Sequence, residues 1–275
     1  MTKYLVLLGL AGIMVALVGS PLNAAAATRI RCASTTSTQN SGLFDYLLPK
    51  FEKKTGIHVD VVAVGTGAAI EIGKRGDADV LLVHAKPLEL KAVKEGYFVN
   101  RHDVMYNDFV IVGPPQDPAK IKGLKDAGEA FKKIAASHSL FVSRGDKSGT
   151  NIKELAIWKK DKIDPKGQKW YLEAGQGMAK TLRMASEKRA YTLTDRGTWL
   201  AIKDKDRLEL ALLVQGDPIL FNQYGVMAVN PAKHKKVKYK EAMEFVNWLI
   251  SPEGQQAIAS YKDKHGNKLF VPDAK

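Results

Sequence analysis

Cysteine is nearly absent. Cys32 is the only one in a chain of 275 residues, which excludes an internal disulfide and any multi-cysteine metal site. Its setting, Arg-Ile-Arg-Cys, lacks the small or apolar residues that a lipid-attachment signal carries before the cysteine, so Cys32 reads as a small core residue on a first strand. Long apolar runs are scarce as well. The run from Tyr4 to Val18 is too short for a comfortable membrane span. With Lys3 ahead of it, Gly19-Ser20-Pro21 behind it and alanines at 24 to 27, it marks residues 1–26 as a secretory signal peptide cleaved near Ala26 or Ala27.

Acidic side chains are outnumbered, 29 Asp and Glu against 42 Lys and Arg, for a net charge of +13 at pH 7. The lysines are scattered and the chain is expected to be exported, so nucleic acid is not an expected partner. Two readings of the charge stay open, a solvated basic surface and electrostatic steering of a small anion. Catalytic signatures are missing too. There is no Gly-x-Ser-x-Gly elbow, no His-Glu-x-x-His helix and no Walker lysine motif, and the six histidines show neither metal-type spacing nor a paired carboxylate. The expectation is therefore a protein that is not an enzyme and carries neither a cofactor nor a metal ion.

What is present is an alternation of strands and helices. A short strand at Arg29–Ala33 and strand-length runs at Val59–Val64, Asp79–Val83 and Asp108–Val112 alternate with helical patterns such as Phe44, Leu47, Leu48 and Phe51, in which Pro49 predicts a kink. Further on, a helix is expected from Asn151 to Lys160, another from Gly177 to Lys188, and a stripe of Ala242, Phe245, Val246, Leu249 and Ile250 near the end. Such alternation predicts an α/β protein with mainly parallel sheets flanked by helices. Segments near Tyr106 to Pro115 and Tyr224 to Val229 are expected to cross between two lobes. One lobe comprises 27–110 plus 224–275, the other 111–223.

In open α/β sheets, ligands bind where strands end and helices begin. Three such junctions carry matching chemistry. Ser34-Thr35-Thr36-Ser37-Thr38 is a hydroxyl-rich polar turn, Gly65-Thr66-Gly67-Ala68-Ala69 offers exposed amides, and Ser143-Arg144-Gly145-Asp146-Lys147-Ser148-Gly149-Thr150 adds an arginine to hydroxyls at a helix start. Each also has a plain reading, as a helix cap or a tight turn. His84, at a strand end, is a candidate to face the cleft. Asp146 and Glu154 are expected to stay ionised beside the arginine and a helix N-terminus, orienting Arg144 or capping the helix.

These segments, with Gly76-Asp77-Ala78-Asp79-Val80-Leu81-Leu82-Val83-His84-Ala85, resemble the periplasmic tungstate-binding proteins of tungsten-uptake ABC transporters. The likeness spans nearly the whole chain after residue 26, with Ser34 standing where that family usually has threonine. It implies a two-lobed type II periplasmic binding protein, monomeric, with its ligand in the interlobe cleft. It also implies tungstate or molybdate as ligand, held as the oxyanion through hydrogen bonds, and an ABC transporter permease as partner. By the same resemblance the oxyanion donors are Thr36, Ser37, Gly65, Thr66, Gly67, Ala68, Arg144, Ser148 and Thr150. Other oxyanions such as sulfate and phosphate, a secreted phosphoryl-transfer enzyme and a basic adhesin are the alternatives. Phosphate, being protonated, needs a carboxylate acceptor, and Asp146 is the nearby candidate.

Overall fold

The computed structural model describes residues 28–204, 206–263 and 265–274; the signal peptide expected at 1–26 lies outside them. The chain opens with β1 (Arg29–Thr35), α1 (Thr36–Asn40), α2 (Leu43–Thr55), β2 (His58–Val64), α3 (Thr66–Lys74), β3 (Val80–Val83) and α4 (Lys86–Lys94). β1 pairs in parallel with both β2 and β3. Every residue of β3 is buried, as expected of an apolar strand covered on both faces. α2 buries Leu43, Phe44, Leu47 and Phe51 and runs through Pro49 to a stop at Gly56, whose φ of 71° suits a residue without a Cβ.

β4 (Phe98–Gly113) then runs for 16 residues, starting well before the crossing segment expected near Tyr106. Its first half is polar and escapes a hydropathy reading. Those side chains are nonetheless paired, Arg101 with Glu89 at 2.9 Å and Lys86 with Asp103 at 2.8 Å. There follow α5 (Ala127–Ala136), β5 (Phe141–Ser143), α6 (Gly149–Lys160), β6 (Tyr171–Glu173), α7 (Met178–Glu187), β7 (Thr192–Asp195), α8 (Arg196–Ile202) and β8 (Ala211–Val214). The chain closes with β9 (Phe221–Val229), α9 (Tyr239–Ile250), α10 (Pro252–Ser260) and β10 (Val271–Pro272).

The sheet is mixed rather than mainly parallel. Its main path runs β10-β4-β9-β3-β1-β2, and β7 and β8 flank the far half of β4. β4 pairs antiparallel with β9, β10, β7 and β8, and β9 pairs antiparallel with β3. The reason is connectivity, because two long strands that traverse the molecule in opposite directions each recruit neighbours against their own sense. Four core clusters result. Phe44, Phe51, Phe245 and Trp248 pack on one face of the β1 region, and Ala69, Ile70 and Phe98 on the other. Beyond Met105 the alternate residues of β4 enter two new clusters, Phe109 and Ile111 with Phe131, Phe141 and Trp158, and Val110 and Val112 with Leu182 and Trp199.

Candidate functional site

The run from Thr36 to Asn40, expected as a turn, is a short helix. Thr35 caps it, accepting from the Thr38 amide at 3.2 Å, so the run of hydroxyl residues feeds a helix start instead of a loop. Ser34 takes no part in the site; its hydroxyl donates to the Leu82 carbonyl at 2.5 Å and ties β1 to β3. Thr36 and Ser37 occupy the first turn of α1 and meet Arg144, which follows β5. The Arg144 guanidinium is 1% exposed. It donates from Nη1 to Ser37 Oγ at 3.3 Å and from Nη2 to Thr36 Oγ1 at 3.2 Å and Asp146 Oδ2 at 2.5 Å. Asp146 uses its second oxygen to accept from the Ser148 amide at 3.1 Å. The carboxylate thus braces both the arginine and the start of α6, which offsets the cost of burying the guanidinium charge.

The turn leading to α6 depends on backbone shape. Gly145 has a φ of 60°, and a Cβ there would lie 2.8 Å from Glu173 Cβ, so both conformation and space call for glycine. Ser148 caps α6, accepting from the Asn151 amide at 3.3 Å. From the facing side, Gly65 caps α3 without any side-chain bond, and the first turn of α3 carries no acidic residue. Thr66 Oγ1 accepts from the Gly149 amide at 3.2 Å, tying the start of α3 to the start of α6. A Cβ at Gly65 would approach the Asp146 carbonyl to 3.4 Å and one at Gly67 the Lys147 carbonyl to 3.8 Å, so the two turns face each other closely.

Counting lone pairs and protons gives the chemistry of the site. Thr36, Ser37, Thr66 and Ser148 each accept a hydrogen bond from an N–H group, which turns each hydroxyl proton toward another acceptor. Thr150 Oγ1 and Arg144 Nε are buried with no hydrogen-bond partner among the described residues. Two carboxylates lie near Arg144: Asp146 is committed to the arginine and to the start of α6, and the buried Asp195 accepts from the Thr198 amide through Oδ1 while its Oδ2 has no partner among the described residues. Donors therefore converge where acceptors are few, an arrangement suited to a fully deprotonated anion. A cavity of about 380 Å³ lies beside this cluster between His84, Phe109 and Gly149, and another of about 620 Å³ lies at the far end of α1, against α8 and Tyr261.

A family model described as a PBP superfamily domain matches residues 22–253. The tungstate-binding protein TupA of Peptoclostridium acidaminophilum is 50% identical over 245 residues, covering 88% of this chain and 85% of that protein. The chain belongs to the TupA family of the PBP superfamily. Two solved structures accord with this. The tungstate ABC transporter protein from Geobacter sulfurreducens is 55% identical with a TM-score of 0.78, over 85% of this chain and 98% of that one. TupA from Desulfovibrio alaskensis G20 is 46% identical with a TM-score of 0.77, over 90% of this chain and 100% of that one. The TupA-family fold is the two-lobed type II arrangement of periplasmic binding proteins.

Of the nine residues singled out from the sequence of this TupA-family chain, Arg144 bonds directly to Thr36 and Ser37 and, through Asp146, to Ser148, while Thr66 is tied in through the Gly149 amide. Thr150 is buried in the first turn of α6, and Gly65 and Gly67 line the facing turn. Ala68 is exposed, and only its backbone amide, in the first turn of α3, remains a candidate donor. Two further residues touch the cluster. A Cβ at Gly177, which caps α7, would lie 3.4 Å from Thr36 Oγ1, and Thr198 Oγ1 donates to the Ser37 carbonyl at 3.1 Å. Neither carries a sequence signal beyond being a helix start far from residue 36.

Glu154 departs from expectation. It lies more than one turn into α6 and is buried, accepting from Ser143 Oγ at 2.6 Å, Tyr171 OH at 2.6 Å and Trp158 Nε1 at 3.1 Å. Burial pushes its carboxyl from the ordinary 4.5 up to about 7, against the pull of those donors. The native chain then keeps this proton where the unfolded chain has released it. Stability contributed here is full below about pH 4.5 and declines as pH rises to about 7, by up to about 3 kcal/mol. Glu154→Gln is expected to flatten that part of the curve in urea unfolding measured from pH 5 to 8. The same slope in both proteins contradicts the assignment.

Proposed function

We propose that this chain is the extracytoplasmic solute-binding protein of an ABC transporter, capturing tungstate, and molybdate as a related ion, for delivery to the membrane permease. The observation that carries the reading is the buried Arg144 guanidinium, braced by Asp146 against the α1 hydroxyls, whose oxygens accept from it and whose protons are left for an anion. The names of the 42–55% identical relatives support the choice of oxyanion. Export follows from reading residues 1–26 as a signal peptide, which places the working protein in the periplasm.

In this account the lobes, 27–110 with 224–275 and 111–223, hinge about β4 and β9 and close on the ion. Lobe 1 contributes Thr36, Ser37, Thr66 and the amides of 65–68; lobe 2 contributes Arg144, Ser148 and Thr150. The protein binds and releases and performs no chemistry. Charge-assisted hydrogen bonds of about 1.5–3 kcal/mol each make a handful sufficient for tight binding.

The preponderance of donors sets the selectivity. Tungstate, molybdate and sulfate carry no proton at neutral pH, whereas monohydrogen phosphate must find an acceptor for its O–H. Both oxygens of Asp146 already accept hydrogen bonds. Phosphate is expected to bind at least about 100-fold more weakly than tungstate, the cost of leaving a buried O–H unpaired. Calorimetric titration of the purified protein with tungstate, molybdate, sulfate and phosphate checks this. Saturable heat with tungstate and little with phosphate is the expected pattern; no heat with tungstate or molybdate removes the proposed function.

A further inference from the structure

His84 follows β3 directly, and its ring is buried behind the anion site, in contact with three separate parts of the molecule. Toward the crossing strands, Asn107 of β4 and Asn222 of β9 stand opposite each other in register. Asn222 Nδ2 donates to Asn107 Oδ1 at 2.8 Å, leaving Asn222 Oδ1 to accept from His84 Nδ1 at 3.1 Å. That orientation of the Asn222 amide, which leaves Asn107 Nδ2 without a partner among the described residues, assigns the tautomer. Nδ1 carries the proton, so Nε2 is an acceptor and takes the Thr35 hydroxyl proton at 3.1 Å. Thr35 Oγ1 then accepts from the Thr38 amide at 3.2 Å and from the Thr38 hydroxyl at 2.7 Å. Those bonds cap α1, which presents Thr36 and Ser37 to the site.

The third contact is with the opposite side of the cleft. A Cβ on Gly149 would lie 2.9 Å from both Nδ1 and the carbonyl oxygen of His84, so the start of α6 approaches the histidine as closely as glycine allows. The Gly149 amide is the group that donates to Thr66 Oγ1. The ring is also stacked on Tyr224 of β9, with centroids 4.7 Å apart and planes inclined by 26°. A single imidazole therefore touches a crossing strand, the cap of the helix bearing Thr36 and Ser37, and the first residue of the helix following Ser148.

We propose that His84 is a positioning residue for oxyanion binding: its Nε2 sets the cap of α1 through Thr35, while Nδ1 anchors the ring to the Asn222–Asn107 pair of the crossing strands. The inference rests on the proposed tungstate site and adds to it the element that holds one half of the donor set in place relative to the hinge. The ring must be neutral to accept from Thr35. Burial, reinforced by the nearby Arg144 charge, lowers His84 to about 4 despite the bond to Asn222, which keeps it neutral throughout the neutral range. A core histidine serving stability alone has the same burial but needs no particular nitrogen at a particular place, and that difference is testable.

Three variants of the full-length mature protein separate the two roles. His84→Phe keeps the ring and the stacking but loses both hydrogen bonds. His84→Asn places an amide near the position of Nδ1 and reaches Asn222 only. His84→Gln reaches the position of Nε2 and can offer its amide oxygen to Thr35. Tungstate affinity is expected to fall about 10-fold or more in His84→Phe and His84→Asn and to stay within about 3-fold of wild type in His84→Gln, about the worth of one hydrogen bond. Thermal melting without ligand is recorded alongside, so that affinity is compared on folded protein. In wild type, ¹⁵N NMR of the ring is expected to show the proton on Nδ1. The proposal is overturned if His84→Phe binds tungstate as wild type does, if Asn and Gln are equivalent, or if the proton sits on Nε2. A wild-type protein that does not bind tungstate removes the underlying function instead, and is told apart because no variant is needed to see it.

Discussion

Arg144→Ala is expected to weaken tungstate binding by about 2–5 kcal/mol, a loss of roughly 30-fold to several thousand-fold. The size follows from geometry. The guanidinium is fully enclosed and fixed by three hydrogen bonds to Thr36, Ser37 and Asp146, so at the proposed site its charge acts in a region that water screens poorly. Truncation removes that charge. It also releases the lone pairs of Thr36 and Ser37, whose hydroxyl protons then have no reason to point into the site, and leaves Asp146 to repel the incoming anion. Arg144→Lys is expected to restore little, because an ammonium cannot reproduce the planar fork that reaches two hydroxyls and a carboxylate together. Calorimetry on both variants decides the matter. An affinity within about 3-fold of wild type in Arg144→Ala, below the worth of one charged hydrogen bond, takes the arginine out of the site.

Trp158→Ala is expected to cost about 3–5 kcal/mol of folding stability. Trp158 is buried in α6 among aromatic rings, with centroids 4.2 Å from Phe131, 5.4 Å from Phe141 and 5.6 Å from Trp170. Its Nε1 also satisfies Glu154, so the alanine leaves both a cavity and a buried carboxyl short of a donor. Urea unfolding of the protein without ligand reads the loss; a change under about 1 kcal/mol means that the neighbouring rings collapse into the space. The aromatic cluster also seats the helix whose first turn carries Ser148 and Thr150. A fall in tungstate affinity beyond what the unfolded fraction accounts for is expected to accompany the loss of stability.

Much of the candidate site is legible in the sequence because its chemistry is local. Arg144, Gly145 and Ser148 lie within a few residues of one another, and their types alone describe a glycine-shaped turn with donors at a helix start. Asp146 has two readings in the sequence, facing the ion or facing Arg144, and the distances select the second. The helix at Thr36–Asn40 is hidden because serine and threonine runs suit turns and caps equally, and the outcome rests on Thr35 meeting His84 and Thr38 in space. The polar first half of β4 is hidden for a related reason. Arg101 and Asp103 are strand residues only because Glu89 and Lys86 pair with them. The antiparallel pairing of β4 and β9 leaves no mark on hydrophobic periodicity. Glu154 is misread because its ionisation depends on burial beside Trp158 and Tyr171, which no sequence neighbour reveals.

The central claim is that tungstate is held between the lobes by hydroxyl, amide and guanidinium donors. Crystals grown with tungstate and measured at a tungsten absorption edge test it most directly, since the anomalous signal marks the metal without reference to the protein. The account predicts one strong peak enclosed by Thr36, Ser37, Thr66, Arg144 and Ser148, with the oxyanion oxygens within hydrogen-bonding distance of their donors. A peak elsewhere on the protein, or none in crystals of protein saturated with tungstate, contradicts it.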